Sequence, residues 1–232
     1  MYPFLGLLWA SMPDEFTTVP QSSSCRVFNT VMSQGDCGSC AAFATAYAIA
    51  MRLCLRDGTD FIPSPFRIFD CSGHSCDQGL PLPLAMAIAQ YGVSDLQDSP
   101  PRYGLPCDLR WEQHTPAHLS PVALTDRRRI KESLINFGPL PASTLAFHHR
   151  HAIVLLGWDQ DGWLIQNSWG ENAEDDRLGR RHIPYEDVAF ALDIDLGPQT
   201  QRWVLCMELA CISACIGFVI AAIRTHKAEN PF

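Results

Sequence analysis

Apolar residues recur at Phe43, Ala46, Tyr47, Ala50, Leu53 and Cys54, the three-and-four spacing of a helix that buries one face. The pattern predicts a helix over 41–56. A second is predicted over 81–91, ended by Gly92, and a third over 126–137, with Ile130, Leu134 and Phe137 on one face and Gly138-Pro139 as the stop. Downstream the period changes. Residues 151–158 form a continuous apolar run with the length of a buried strand, Asp159-Gln160-Asp161-Gly162 reads as a turn, and 163–167 as a returning strand. Helices come first and strands last, so the chain reads as an α+β fold with a helical lobe and a sheet lobe. Pro63-Ser64-Pro65 and Pro100-Pro101 mark loops rather than linkers, and the sequence contains no repeats or low-complexity tracts.

Chemistry concentrates where these elements begin. Gln34-Gly35-Asp36-Cys37-Gly38-Ser39-Cys40 puts a side-chain amide, a glycine turn and a cysteine immediately before the first helix. Unpaired N–H groups and the positive end of the macrodipole favour an anion there, so the Cys40 thiol is expected to ionise more easily than a free cysteine. Gln34 can lend an amide N–H, beside the Cys40 backbone N–H, to an oxyanion developing on a substrate carbonyl. A cysteine nucleophile needs a base and a group to orient it. Folding the predicted hairpin brings His151 and Asn167 to one open end, where the Asn oxygen can hold one imidazole nitrogen while the other faces Cys40. Which nitrogen carries the proton is open at this level.

These residues resemble the papain-like cysteine peptidases. The likeness rests on Gln34, the Cys-Gly-Ser-Cys run at 37–40, His151-Ala152 and Asn167-Ser168-Trp169-Gly170. It is closer to the cathepsin B branch, through Met12-Pro13-Asp14-Glu15-Phe16 and through Cys25 and Cys54, which match an additional disulfide of that branch. The resemblance covers 12–205 and implies a two-lobe papain-like fold, with a C-terminal antiparallel β lobe and the active site between the lobes. It implies that Cys40 is the nucleophile, His151 the general base and acid, Asn167 the orienter of the imidazole and Gln34 the oxyanion donor. Trp169 would shield the Asn–His hydrogen bond from water. Gly79 would pair with substrate backbone and Leu80 would wall an apolar subsite. The implied disulfides are Cys25–Cys54, Cys37–Cys76 and Cys71–Cys107, with Cys40 free.

Three departures bear on the cleft. Ala41 and Gln78 stand where the family has a large aromatic and a glycine. The interval from Cys40 to His151 is shorter than the roughly 130 to 150 residues usual in the family, with the shortfall between Gly138-Pro139 and His148. No segment matches the cathepsin B occluding loop, so the expected activity is endopeptidase cleavage of peptide or protein substrates through an acyl-enzyme, with no metal or organic cofactor.

Composition bears on the setting. Ten cysteines in 232 residues are many for a reducing compartment and point to the secretory pathway, lysosome-like or extracellular. The net charge of −8 comes with no basic patch to argue for nucleic acid; Arg127-Arg128-Arg129 opens a helix on a solvated face. Residues 1–11 read as a leader or propeptide remnant, too short and without the positive start of a secretory signal. Residues 203–223 are apolar apart from Glu208 and are followed by Arg224, His226 and Lys227, long enough for a membrane anchor, which needs about 20 residues. The other reading is a last strand at 203–207 and a buried terminal helix. On either reading 206–232 forms an apolar tail, and its Cys206, Cys211 and Cys215 are thiols or acylation sites. The pattern says nothing about oligomeric state.

Rival readings are weaker. Cys37-Gly38-Ser39-Cys40 is also a CxxC redox motif, but redox chemistry needs neither His151 nor Asn167. His148-His149-Arg150-His151 lacks a fourth ligand for zinc. The Glu174-Asp175-Asp176 run reads as solvent-facing, and Trp158 and Trp163 as core. The serious competitor is a catalytically inactive papain-like binding or regulatory module, favoured by Ala41, Gln78 and the shortened cleft segment.

Overall fold

Helices predominate in the first half of the chain and strands in the second, with a short strand ahead of both. The computed structural model describes residues 12–21, 24–99, 101–107, 121–147, 149–171, 175–194 and 196. In it β1 (Phe16–Thr17) precedes α1 (Cys40–Asp57), α2 (Pro65–Asp70) and α3 (Leu82–Ala89). Then come β2 (Val122–Leu124), α4 (Arg127–Phe137), β3 (Leu140–Thr144), β4 (His151–Asp159), β5 (Gly162–Gln166), β6 (Arg180–Ile183) and β7 (Val188–Asp193). The strands form one antiparallel sheet in the order β2-β7-β3-β4-β5-β6, with β1 paired to β4.

Strand β4 divides two hydrophobic cores. Ala152, Val154 and Leu156 face the helical core, while Ile153 and Leu155 face a second core with Ile130 and Leu134 of α4. The alternation then breaks, because Trp158 joins the second core. A register shift between Leu155 and Gly157 accounts for this, since a bulge resets the two-residue phase of a strand. Gly157 is also where β1 crosses closest: a Cβ there would lie 2.1 Å from the Phe16 carbonyl oxygen.

Two expectations are corrected. Helix α1 buries far more than one face, every residue from Ala41 to Cys54 being buried, because it lies between α2, α3 and the sheet and its many alanines admit close neighbours. Even Arg52 is buried, its guanidinium satisfied by the Pro139 and Ile194 carbonyls and by Asp193. In α4, Ile130 and Leu134 are buried but Phe137 is 59% exposed; the helix ends there and its last side chain passes the edge of the core. The N-terminus of α4 is capped by Asp126, whose carboxylate accepts the Arg129 N–H at 2.9 Å.

All three implied disulfides form, Cys25–Cys54, Cys37–Cys76 and Cys71–Cys107. Residues 1–11 and 197–232, with the expected anchor at 203–223 and Cys206, Cys211 and Cys215, lie outside the described residues. Among the described residues no helix is long and apolar enough to cross a membrane.

Candidate active site

The segment before α1 is held by its own atoms and by three distant residues. Gln34 Nε2 donates to the Cys37 carbonyl at 2.7 Å, and Oε1 accepts from the Ser168 hydroxyl at 2.6 Å. Cys37 is tied to Cys76, and Gly38 lies so close to that loop that a Cβ would stand 2.6 Å from the Cys76 carbonyl oxygen; only glycine fits. Tyr103 braces the same segment, its hydroxyl donating to the Gln34 carbonyl at 2.9 Å and lying 2.6 Å from Ser39 Oγ. No sequence signal singled out Tyr103, an isolated aromatic in a proline-rich loop. The result places Cys40, free and half-buried, as the first residue of α1.

The facing side is built from the β4–β5 hairpin. His151 opens β4, Asn167 follows the end of β5, and the register leaves both at the open end, with Val154 opposite Gln166. His151 Nε2 lies 2.8 Å from Asn167 Oδ1. The same oxygen accepts the Ser168 N–H at 2.8 Å, while Asn167 Nδ2 donates to Asp175 at 3.1 Å. Those partners fix which end of the amide is oxygen. An amide oxygen only accepts, so Nε2 carries the proton and the lone pair sits on Nδ1, which settles the tautomer left open by the sequence.

Aromatic rings close over this pair. The Trp169 ring centroid is 4.7 Å from that of His151, and Phe147 meets both rings edge-on, at 5.3 Å from His151 and 4.7 Å from Trp169. Phe147 was not anticipated; its one signal is an apolar residue heading a histidine-rich loop. The solvent-facing reading of Asp175 is wrong: its side chain is 0% exposed and ion-paired with Arg181. A charged run appears solvated by composition, and only the folded loop brings this one member against Asn167. His149 is exposed, with its ring 6.1 Å from that of His151. Among the described residues no group of three or more His, Cys, Asp or Glu side chains is arranged to hold a metal ion.

Between the two sides opens a cleft of about 470 Å³, walled by Cys40, Ala41, Gly79, Leu80, Arg150 and His151 among others. Gln34, Asn167 and Trp169 are not among the residues that line it. Gly79 sits at φ +69°, and its N–H donates to the Ser75 carbonyl at 3.2 Å. That engages the donor half of the backbone pairing expected of Gly79. Leu80 is buried in the wall, as an apolar subsite would require.

The electrostatics correct the expected easy ionisation of Cys40. Burial pushes its thiol pKa up, against hydrogen bonds from the backbone of Ala152, Ala41 and Cys40 itself that pull it down. Desolvation outweighs the helix terminus because the cleft walls are apolar. Burial likewise lowers His151 to about 4, against the Asn167 hydrogen bond. Burial thus opposes the charged form of each group taken alone.

A sequence model of the papain family cysteine proteases matches residues 13–150. The chain belongs to that family. The matched span ends just before His151. Mouse cathepsin K is 26% identical over 172 residues, 61% of this chain and 52% of that protein. The Caenorhabditis elegans cathepsin B-like cysteine proteinase 3 is 23% identical over 216 residues, 68% of this chain and 58% of that protein. The chain thus spans about half the length of the curated relatives it matches. Among solved structures, that of a digestive procathepsin L 3 from Tenebrio molitor larval midgut superposes with a TM-score of 0.64 at 18% identity, covering 80% of this chain and 70% of that one. This likeness carries the papain-like α+β two-lobe fold. The relatives bear cathepsin K, L and B-like names, so they do not single out a branch of the papain family.

Proposed function

We propose that this papain-family chain is a cysteine endopeptidase working through Cys40, His151 and Asn167. The observation that carries the reading is the 2.8 Å bond from His151 Nε2 to Asn167 Oδ1, which leaves Nδ1 basic in a cleft shared with Cys40. The Cys40 proton moves to Nδ1 as sulfur attacks the scissile carbonyl, so the burial that opposes either charge alone favours a close pair once both form. The carbonyl oxygen becomes an oxyanion received by the Cys40 backbone N–H and by the Gln34 N–H not spent on Cys37. His151 then returns its proton to the leaving amine, giving a thioester. Water, deprotonated by Nδ1, attacks that thioester, and its collapse releases the acid and restores the thiol. Trp169 and Phe147 exclude water from the Nε2–Oδ1 bond, and Leu80 with the Gly79 carbonyl receives an extended peptide.

Substrates are peptides or proteins, and three disulfides support synthesis in the secretory pathway. The Cys25–Cys54 bridge supports the cathepsin B-like branch. The competing reading, an inactive binding or regulatory module, draws on the engaged Gly79 N–H and the elevated Cys40 thiol. Exposure of the folded protein to an epoxysuccinyl thiol-peptidase probe, followed by mass spectrometry, separates them. Labelling of Cys40 that is lost in Cys40→Ser and His151→Ala is the expected result. An unlabelled Cys40 in folded protein overturns the peptidase reading and favours the module.

A further inference from the structure

Asn167 is held by more than its neighbours in sequence. Its Oδ1 serves His151 and the Ser168 N–H, while its Nδ2 donates at 3.1 Å to Asp175 Oδ2. The Asp175 side chain is 0% exposed and ion-paired with Arg181, itself 17% exposed. The Arg181 guanidinium carbon in turn lies 5.3 Å from the centre of the Phe147 ring, the ring that meets His151 and Trp169. A buried carboxylate is costly unless paired and hydrogen-bonded. Placed behind a neutral amide, it does two things no solvated acid would do. It accepts only, so it forces the NH₂ end of Asn167 toward itself and the oxygen toward His151. It also sets a fixed negative charge on the far side of the amide from the imidazole.

Resting on the proposed triad, we infer that Asp175, with Arg181 as its counter-ion, is a positioning residue that locks the Asn167 amide with its oxygen toward His151. Among the described residues, the charged and titratable groups around His151 are these. Cys40 faces it from α1, His149 and Arg150 precede it on its own loop, Asp175 comes from the loop after β5, and Arg181 comes from β6; β3 contributes the neutral Thr144. Of these, Asp175 acts to raise the imidazole pKa and His149 to lower it. Arg181 carries the opposite charge to Asp175 and is ion-paired with it, so by sign it opposes the pull of Asp175 on the imidazole, and replacing the two should move His151 in opposite directions.

The test uses the full chain with Asp175→Asn and Arg181→Gln, alone and each in an Asn167→Ala background. Nitrogen NMR of the imidazole gives the His151 pKa and proton-bearing nitrogen, and a fluorogenic peptide gives kcat and KM. Asp175→Asn should lower the His151 pKa by roughly half a pH unit and Arg181→Gln should raise it by a similar amount. Asp175→Asn should also cut kcat roughly tenfold with KM within twofold, as expected of a loosened base. In the Asn167→Ala background it should cost no further kcat, because no amide remains to lock. Shifts of the same sign in both variants, an unmoved pKa, or full additivity with Asn167→Ala would overturn the inference. If Asp175→Asn fails to fold, the Arg181→Gln shift alone decides. A wild type that cleaves no peptide while the NMR shifts appear with opposite signs defeats the peptidase reading and leaves the positioning role standing.

Discussion

The two sides of the cleft are built by different rules. The Cys40 side is built around one contiguous stretch: Gln34 bonds Cys37, and Cys37 and Gly38 are fixed against the Cys76 loop just ahead of α1. The His151 side is assembled from distant pieces, with Phe147, Trp169, Asp175 and Arg181 converging on a hairpin end from separate loops and a strand. A contiguous side depends on covalent and close-approach constraints, so it should fail by unfolding locally. An assembled side depends on buried electrostatics, so it should fail through pH and through the state of one imidazole.

The largest effect expected comes from removing the covalent constraint. Replacing Cys37 and Cys76 together by serine opens a loop with a sequence separation of 39, which chain entropy values at about 4 kcal/mol. Urea unfolding should show the loss, and Cys40 labelling should fall with it. Unchanged stability would mean that Gly38 and the Gln34 bonds hold this side without the bridge.

Gln34→Ala comes next and separates positioning from chemistry on that side. Loss of an oxyanion donor costs about 10²–10³ in kcat. Alkylation by an epoxide develops no oxyanion on a carbonyl, so labelling of Cys40 should stay within a few-fold of wild type. A parallel collapse of labelling and turnover would show that Gln34 acts by holding Cys37 and Ser168 in place.

The same contrast explains what could be read from the chain. Cys40, Gln34 and the disulfide partners are local or pairwise features, and the hairpin placed His151 beside Asn167 because strand register is a local rule. Asp175 escaped because it lies in a run of acids whose composition signals solvent, while its burial is a property of the loop's path. Phe147 and Tyr103 escaped for a related reason: nothing in the spacing of a lone aromatic says which distant polar group it will cover. The Cys40 thiol was misjudged because a helix terminus is visible in sequence and the apolar walls that desolvate the sulfur are not. The uniform burial of α1 was underread because a one-face period is only a lower bound on what neighbours cover.

The electrostatic side makes a pH prediction. His151 is held near 4 in the folded state, below its ordinary value of 6.5, so between those pH values the unfolded chain binds a proton that the folded chain does not. Stability contributed at His151 therefore rises with pH from about 4 to 6.5 and falls as acid is added, by roughly 3 kcal/mol across the window. Carboxylates contribute their own slope, so the measurement is the difference between wild type and His151→Gln in urea midpoints from pH 4 to 7. Equal slopes would place His151 in a wetter site than its 4% exposure indicates.

The smallest effect tests the cleft lip between the two sides. Gln78 is exposed, and its Oε1 accepts the Ser75 N–H at 3.0 Å, while the Ser75 carbonyl accepts the Gly79 N–H. The side chain thus helps hold a turn in which the Gly79 N–H faces inward instead of toward a substrate. Gln78→Gly removes that support. Because the bond is solvent-exposed, its loss should cost under about 1 kcal/mol of stability. If freeing the turn lets Gly79 offer both its N–H and its carbonyl to an extended peptide, KM should fall roughly threefold with kcat unchanged, the signature of one added neutral hydrogen bond made equally in ground and transition states. A rise in kcat would instead assign the lip to the chemical step, and an unchanged KM would mean that the Ser75–Gly79 bond holds without Gln78.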